Sequence, residues 1–457
     1  MDILDLPGWR LIEARLDDDG YRLCAEFLAE PDACQRCGVI GRLYKHGTHA
    51  TTYRDSPIRG HHARIVVSVR RYKCRDCGET FRQALTGIRE DRRMTERCAQ
   101  YIQKQCLLET FVRIADHVGC DEKTVRALAG QHITHVDGGY LPALPQWMGI
   151  DETTIDGKLR LVITDLGARK PIELLADRDR LTLAGWLHRF KDRSMVKGVA
   201  IDMWRPYLNV CHQLLPGVPV VVDKFHIVRM ASRSMESVRI RLQKRQKAAV
   251  RRDWLRSKAT LNMRAASLSE KQRFNRDMWL DNEPELAEAY RLKEAFYDLF
   301  DLPRDEAIQA FDGFAASVPA HLKADFRKLL TSMTNWRTEI LAVLDTPITN
   351  AYTEALNGVA KTINRTGKGY SFDVLRARLL FRSPGARIKF GPRAPLVPHN
   401  GPGSANPDRV LRCMSCFGLF DKRVFKALHH IQPIAPLEGP IEVMALCGPC
   451  NARFHTD

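Results

Sequence analysis

Three acidic residues stand where carboxylates can act together. Asp151 ends the apolar stretch GIDE, Asp202 ends the apolar stretch AIDMW, and Glu354 lies in the helical stretch TNAYTEALNG. Three carboxylates at one edge of a sheet can hold two magnesium ions, because Mg²⁺ prefers hard oxygen ligands. Such ions can activate a water or a 3′-hydroxyl and stabilise the leaving oxygen in a phosphodiester displacement. Each acid alone also fits a turn or a cap, so the hypothesis depends on the combination.

Two other groups of residues accompany these acids. Asp223 and His226 form a D-x2-H unit in VVDKFH, just after an apolar strand, where they can orient a substrate or align the site. A single histidine on an apolar background equally fits a hydrogen-bonded core residue. Beyond Glu354 lies a basic run that can face a DNA backbone, comprising Lys361, Arg365 and Lys368.

The elements that must position the acids follow a recognisable order. Strands are predicted in WMGIDETTI, KLRLVITDLG and PIELLADR, followed by a helix and two short strands, VKGVAIDMW and VPVVVDKFH, each ending in an acid. This is the element order of an RNase H-like α/β core over residues 145–382. Residues from about 230 to 345 are predicted to be a helical insertion, and TNAYTEALNGVAKTINRT closes the core. The predicted fold class is therefore multidomain α/β.

Cysteine spacing predicts metal sites. Of 13 cysteines, eight form four C-x2-C pairs. The pairs are Cys34/Cys37, Cys74/Cys77, Cys413/Cys416 and Cys447/Cys450. This spacing lets two thiolates converge on one tetrahedral ion, so two four-cysteine Zn²⁺ sites are expected. The first two pairs bracket ARIVVSVRRYKC and predict a zinc ribbon over 29–88 with little core beyond the metal, after a leader over 1–28 that holds a strand-like patch.

A DNA-binding motif is predicted over residues 89–140. In IADHVGCDEKTVRAL, a first helix ends at Gly119 and Asp121 can cap a second helix. This order is typical of a helix-turn-helix, with Lys123, Thr124 and Arg126 directed outward toward DNA. A plain helical hairpin is the alternative.

The charge favours a polyanionic partner. Lys+Arg 71 against Asp+Glu 54 gives a net charge of +17 and a pI near 9.4. Nucleic acid is the leading candidate, and a generically basic surface is the alternative. No long uncharged apolar run suits a membrane span, and MDILDLPGWR lacks the order of a secretory signal. A cytoplasmic, nucleoid-associated protein is expected.

Four blocks in order, GIDETTI, VAIDMWRPY, VVDKFHIVRM and TNAYTEALNGVAKTINRTGKGYSFDVLRARLLF, resemble bacterial insertion-sequence transposases of the ISL3 type. The resemblance covers roughly residues 30–382 and implies a zinc ribbon, a helix-turn-helix and a DDE core. It implies Asp151, Asp202 and Glu354 as the triad, with Asp223 as the alternative second aspartate. It further implies binding of terminal inverted repeats in double-stranded DNA, cleavage and strand transfer with Mg²⁺ or Mn²⁺, and a homodimer or larger assembly.

The last part of the sequence departs from that pattern. A linker rich in Pro and Gly over 383–408 precedes a predicted zinc module over 409–457 that resembles HNH nucleases. His430 could be the base, with His429 before it and His455 as a substitute ligand. However, Glu442 occupies the usual place of an asparagine, so a structural zinc module is the alternative. Two rival functions follow: a catalytically inactive DNA-binding regulator, and a nuclease acting through this module.

Overall fold

The computed structural model describes residues 3–246, 254, 257–346 and 348–382, and the backbone of 410–412, 419–421, 429–430 and 443–444. The linker over 383–408, Cys413, Cys416, Cys447, Cys450 and His455 lie outside the described residues. The chain divides into two compact units, Met1–Leu141 with Thr362–Arg393, and Pro142–Lys361 with Ala394–Asp457. His429–His430 pairs with Val443–Met444 in a short antiparallel ladder, and Val410–Arg412 pairs with Leu419–Asp421.

The first unit is built on a sheet dominated by one long hairpin. Its strands are β1 (Trp9–Asp17), β2 (Gly20–Phe27), β3 (Leu43–Ile58), β4 (His61–Cys74), β5 (Thr80–Arg82), β6 (Ile88–Arg89) and β7 (Met94–Thr95). Their order is β1-β2-β4-β3-β7-β6, and β5 pairs with the outer part of β4. Arg59 and Gly60, both with positive φ, form the tight turn between β3 and β4. A two-residue turn with positive φ at both positions matches the right-handed twist of the two strands that it connects.

This sheet has an apolar core of its own. Its buried residues are Leu4, Trp9, Leu23, Ala25, Phe27, Tyr53, Ile65, Val67, Val69, Leu85 and Ile88. The prediction that the ribbon has little core beyond the metal is wrong, because β2 extends the sheet beside β4 and its buried residues join those of the β3–β4 hairpin in one apolar core. Residues 1–28, predicted to be a leader, supply these two strands, and β2 pairs in parallel with β4.

Three helices follow the sheet in the first unit, α1 (Glu96–Gln105), α2 (Phe111–Val118) and α3 (Glu122–Gly138). The predicted boundaries between α2 and α3 are confirmed. Gly119 ends α2 in the left-handed conformation with φ 70°, and the Asp121 carboxylate accepts a hydrogen bond from Thr124 N at the start of α3. Such a glycine and such a cap leave a short, fixed turn between two helices.

A late segment of the chain also belongs to the first unit. A helix over Phe372–Phe381, α13, packs on α3. The buried Arg378 guanidinium donates from Nε to Cys106 O at 2.9 Å, and Arg376 forms an ion pair with Asp137. The sequence predicts these residues to end the catalytic domain, whereas they contact the three-helix region. The difference arises because these contacts join residues far apart in the chain.

The second unit is built on a five-stranded mixed sheet. Its strands are β8 (Trp147–Ile155), β9 (Lys158–Asp165), β10 (Lys170–Leu175), β11 (Gly198–Ile201) and β12 (Val220–Val222), in the order β10-β9-β8-β11-β12. The first three are antiparallel neighbours, and β11 is parallel to both β8 and β12. Helices α4 (Arg180–His188) and α5 (Arg205–Leu214) connect β10 to β11 and β11 to β12. The order of strands and helices is the predicted one.

Helices make up nearly all of the remaining described part of the second unit. They include α6 (Lys224–Arg245), α7 (Glu270–Asn282), α8 (Pro284–Asp298), α9 (Arg304–Ser317), α10 (Lys323–Asn335), α11 (Arg337–Leu341) and α12 (Ala351–Thr366), of which the last extends into the first unit. One continuous apolar core runs from the sheet into these helices, with Trp186, Trp254, Phe296 and Phe326 among its fully buried side chains. The predicted helical segment between β12 and the late helix is confirmed.

Candidate active site

Strand register brings the first two acids together. Asp151 lies in the central strand β8, and Asp202 directly follows β11. The two strands are parallel, with Ile201 opposite Ile150, so the next residue of each strand reaches the same edge of the sheet. Asp151 is buried, and Asp202 is partly exposed.

The next strand and helix add Asp223 and His226. Asp223 directly follows β12, whose Val222 is opposite Ile201, so it reaches the edge that carries Asp202. Its Oδ1 accepts a hydrogen bond from Phe225 N at 3.1 Å and caps α6. His226 lies in the first turn of this helix. The D-x2-H spacing thus reflects a cap and the first turn of one helix.

Glu354 reaches the same edge on α12, through polar residues that hold the helix against the sheet. Asn350 Nδ2 donates to Ile150 O at 3.3 Å, Thr353 Oγ1 lies 2.7 Å from Thr164 Oγ1, and Asn357 Nδ2 donates to Asp151 Oδ2 at 2.7 Å. These side chains are buried. Their spacing in the sequence is that of one helix face, which is why TNAYTEALNG combines polar and small residues.

A glycine in β8 permits this close approach. A Cβ at Gly149 would lie 2.5 Å from Thr164 Oγ1 and 2.7 Å from Asn350 Oδ1, and would also overlap Thr353 Oγ1. Any side chain at this position would push α12 away from the strand. The absence of a side chain at Gly149 therefore determines how closely α12, which carries Glu354, approaches the strand that carries Asp151.

The ligand atoms of the converging side chains lie close enough together to bind one metal ion. His226 Nδ1 is 3.1 Å from Asp202 Oδ1 and 3.8 Å from Glu354 Oε1. One ligand atom each from Asp223, His226 and Glu354 lies within 4.8 Å of the other two. The structure thus brings together all five residues that the sequence nominates for the centre, Asp151, Asp202, Asp223, His226 and Glu354.

Burial and mutual repulsion perturb the two strand-end aspartates. Burial, followed by the charge of Asp202, raises the pKa of Asp151 to about 7. Burial, followed by the charges of Asp223 and Glu354, raises the pKa of Asp202 to about 6. Carboxylates this close cannot all ionise freely without a compensating positive charge. The site is therefore electrostatically prepared for a cation.

Several buried polar atoms in the site have no hydrogen-bond partner in the described part of the chain, and they indicate whether a divalent cation fits. Asp202 Oδ1, Asp223 Oδ2 and His226 Nδ1 are buried, and none has a hydrogen-bond partner among the described residues. The 3.1 Å approach of His226 to Asp202 is thus close in distance without being a hydrogen bond. Buried polar atoms are normally paired, and carboxylate oxygen and imidazole nitrogen are both ligands of divalent metal ions. The donor set fits a divalent metal.

The residues that support the acids have no role assigned from the sequence patterns above. Asn350, Thr353 and Asn357 position α12, and Arg178 Nη1 donates to Glu152 Oε2 at 2.9 Å beside Asp151. The helical spacing of polar residues around Glu354 is a signal that could have identified the first three. The requirement for Gly149 depends on tertiary contact and leaves no such signal.

The four N-terminal thiols form a second metal site. Cys34 Sγ lies 3.6 Å from Cys77 Sγ, and Cys37 Sγ lies 3.7 Å from Cys74 Sγ. All four sulfur atoms fall within 4.8 Å of one another, as tetrahedral Zn²⁺ requires. The prediction of a four-cysteine zinc site in the ribbon is confirmed.

The residues predicted to contact DNA occupy different environments. Lys123 is exposed at the start of α3, whereas Thr124 Oγ1 donates to Asp121. Arg126 forms an ion pair with Glu122 at 2.6 Å and donates to Gly369 O at 3.3 Å. Lys361, Arg365 and Lys368 are exposed. Lys123 is thus the least constrained of the three α3 residues.

Comparison with known proteins agrees with this centre. A family model described as a transposase, of the DDE type and the ISL3 group, matches residues 148–379, which include all five converging residues. The chain belongs to the ISL3 family of transposases. A second model, described as the zinc-finger of transposase IS204/IS1001/IS1096/IS1165, matches residues 30–77 and includes the four ribbon cysteines.

One protein similar to this transposase chain is the transposase for insertion sequence element IS1001 of Bordetella parapertussis. The two are 24% identical over 353 residues, which cover 74% of this chain and 85% of the relative. The similarity thus extends over most of both proteins. None of the helices in the described part of the chain has the length and apolar character needed to cross a membrane.

Proposed function

We propose that this chain binds the terminal inverted repeats of an insertion sequence and catalyses cleavage and strand transfer of their DNA with Mg²⁺ or Mn²⁺. The observation that carries the proposal is the convergence of Asp151, Asp202 and Glu354 from three separate elements at one sheet edge, with buried atoms left unpartnered. We infer that the mixed sheet and its two crossover helices form an RNase H-like core.

Each acid of the proposed triad has a distinct support. Asp151 would be held in place by Asn357 and by Glu152 N, which donates to its Oδ1 at 2.7 Å. Asp202 would be fixed by the end of β11, and Glu354 by the docked face of α12. These three carboxylates would hold the divalent ions, which activate the attacking oxygen and stabilise the leaving oxygen of the phosphodiester. The protein's own contribution is a rigid, partly buried set of oxygen ligands.

Recognition of double-stranded DNA would come from the first unit. The helices α2 and α3 have the short turn of a helix-turn-helix, and Lys123 is exposed at the N-terminal end of α3, which in that motif enters the major groove. The zinc ribbon would add a second contact. The net charge of +17 supports a sizeable electrostatic share of the binding energy. Lys361, Arg365 and Lys368 would bind the DNA backbone, and a homodimer or larger assembly would join two element ends.

The test is cleavage of a plasmid that carries the inverted repeats flanking the coding region. Wild type is compared with Glu354→Ala and with Glu306→Ala, which removes an exposed carboxylate from α9 in the same unit. We expect wild type and Glu306→Ala to cleave at the repeat ends only when Mg²⁺ or Mn²⁺ is present, and Glu354→Ala to bind without cleaving. Equal cleavage by all three proteins would contradict the assignment of Glu354.

The two rival functions give different results in the same assay. A catalytically inactive regulator would bind the repeats, and wild type would leave them intact. A nuclease acting through the C-terminal module would lose cleavage in His429→Ala/His430→Ala and keep it in Glu354→Ala. The clustering of five candidate ligands in the core favours the transposase reaction over both rivals.

A further inference from the structure

We infer that Asp223, His226 and Glu354 form a second cation site of mixed nitrogen and oxygen ligands, which takes a divalent transition-metal ion such as Mn²⁺ in preference to Mg²⁺. The inference deepens the proposed function and rests on it only for the use of the site in DNA cleavage. The ligand atoms come from the N-terminal ends of two helices, since Asp223 caps α6, His226 lies in its first turn, and Glu354 lies in the first turn of α12.

Geometry is the first argument for this site. One atom from each of the three side chains lies within 4.8 Å of the other two, and His226 Nδ1 is 3.8 Å from Glu354 Oε1. Ligands of a single ion lie at comparable separations, because each is about 2.0–2.3 Å from the metal. The three groups can therefore converge on one ion with small side-chain adjustments.

Buried atoms without partners are the second argument. Asp223 is only 2% exposed, and its Oδ2 has no hydrogen-bond partner among the described residues, although its Oδ1 caps α6. His226 Nδ1 is also buried and unpartnered among those residues. An isolated buried carboxylate oxygen is costly unless a hydrogen bond or a cation compensates for it. A bound ion would satisfy both atoms at once.

The chemistry of the donors sets the preference for the metal. Mg²⁺ favours oxygen ligands and retains several waters, whereas imidazole nitrogen is a good ligand for transition-metal ions. Mn²⁺ accepts both carboxylate oxygen and imidazole nitrogen. Asp151 and Asp202 offer oxygen atoms alone, so the two parts of the centre differ in their donors. The aromatic ring of Phe225 meets the imidazole edge-on, with centroids 6.1 Å apart, and helps to fix its orientation.

The test uses the full chain, loaded with zinc and free of DNA. Binding of Mn²⁺ and of Mg²⁺ is measured by calorimetry, and imidazole coordination is detected as nitrogen coupling in the electron spin-echo spectrum of bound Mn²⁺. Wild type is compared with His226→Ala and with His321→Ala, a histidine that is paired to Glu288 at 3.0 Å in the helical region. Circular dichroism confirms that each variant is folded.

We expect His226→Ala to lose the nitrogen coupling and to bind Mn²⁺ about tenfold or more weakly, with a much smaller change in Mg²⁺ affinity. His321→Ala should match wild type. The inference is overturned if His226→Ala keeps the nitrogen coupling, or if Mn²⁺ and Mg²⁺ affinities fall equally, since either result would give His226 a positioning role only.

Failure of this inference and failure of the proposed function are distinguishable. If wild type binds Mn²⁺ through nitrogen but does not cleave repeat ends, the proposed transposase reaction is contradicted and the proposed cation site is supported. Wild type that cleaves repeat ends while its Mn²⁺ spectrum lacks nitrogen coupling would support the reaction and contradict the site.

Discussion

Replacing Gly149 by alanine tests how closely α12 must approach β8. The added Cβ would lie 2.5 Å from Thr164 Oγ1 and 2.7 Å from Asn350 Oδ1, where ordinary carbon–oxygen contacts are about 3.3–3.6 Å. The packed core cannot absorb such overlaps without movement. The helix that carries Glu354 must therefore shift outward by a large fraction of an ångström.

The energetic cost follows from these contacts. Overpacking in a close-packed core costs about 1–3 kcal/mol. The shift also weakens the buried Thr164–Thr353 and Asn350–Ile150 hydrogen bonds, each worth about 1 kcal/mol. We expect Gly149→Ala to destabilise the folded chain by about 3–5 kcal/mol. A displacement of Glu354 by about 1 Å should also slow cleavage of repeat ends roughly 100-fold.

The assay combines thermal or denaturant unfolding with single-turnover cleavage. Gly313→Ala is the matched control, because this glycine lies within α9 and a Cβ there meets no atom within 4 Å. Alanine should stabilise that helix by about 0.5–1 kcal/mol. Thr353→Ala combined with Gly149→Ala should cost less than the sum of the two single changes. If Gly149→Ala kept the stability and the cleavage rate of wild type, the proposed close packing of α12 against β8 would be refuted.

Three further predictions concern charge, zinc and DNA. The pKa of Asp151 in the folded chain is raised above its usual value of 3.8 to about 7. Wild type without added divalent ions should therefore lose stability as pH rises from about 4 to 7, at up to about 1.4 kcal/mol per pH unit. Asp151→Asn should flatten this slope in unfolding experiments, and an unchanged slope would contradict the raised pKa. Cys37→Ser should release one zinc ion but keep most β-structure by circular dichroism, because the sheet has its own apolar core, and collapse of the sheet would show that the metal is essential to it. Lys123→Ala should weaken binding to repeat DNA and lower its salt dependence by about one ion, and unchanged binding and salt dependence would exclude this contact.

Much of the candidate centre was predictable because it depends on local patterns. Apolar strands that end in Asp151, Asp202 and Asp223 place those acids at one edge as soon as the strands run in parallel, which the register shows. The turn from α2 to α3 was predictable because Gly119 and Asp121 have conformational roles that few other residues fill as well.

The remaining features depend on contacts between distant parts of the chain. The strands of residues 1–28 carry polar residues on one face, and their membership in the ribbon sheet follows from pairing with β4. The docking of α13 on the three-helix region involves buried Arg378, a residue type that is usually exposed, which donates to Cys106 O at the end of α1. The need for glycine at position 149 arises only when α12 contacts β8.

The most direct test of the metal-dependent triad is a metal-specificity switch at Asp202. Wild type and Asp202→Cys are assayed for cleavage of repeat DNA with Mg²⁺ and with Mn²⁺, since a thiolate is a poor ligand for Mg²⁺ and a better one for softer ions. We predict that wild type cleaves with both ions and that Asp202→Cys cleaves only with Mn²⁺. Cleavage by Asp202→Cys with Mg²⁺ at the wild-type rate would contradict the role of Asp202 as a metal ligand.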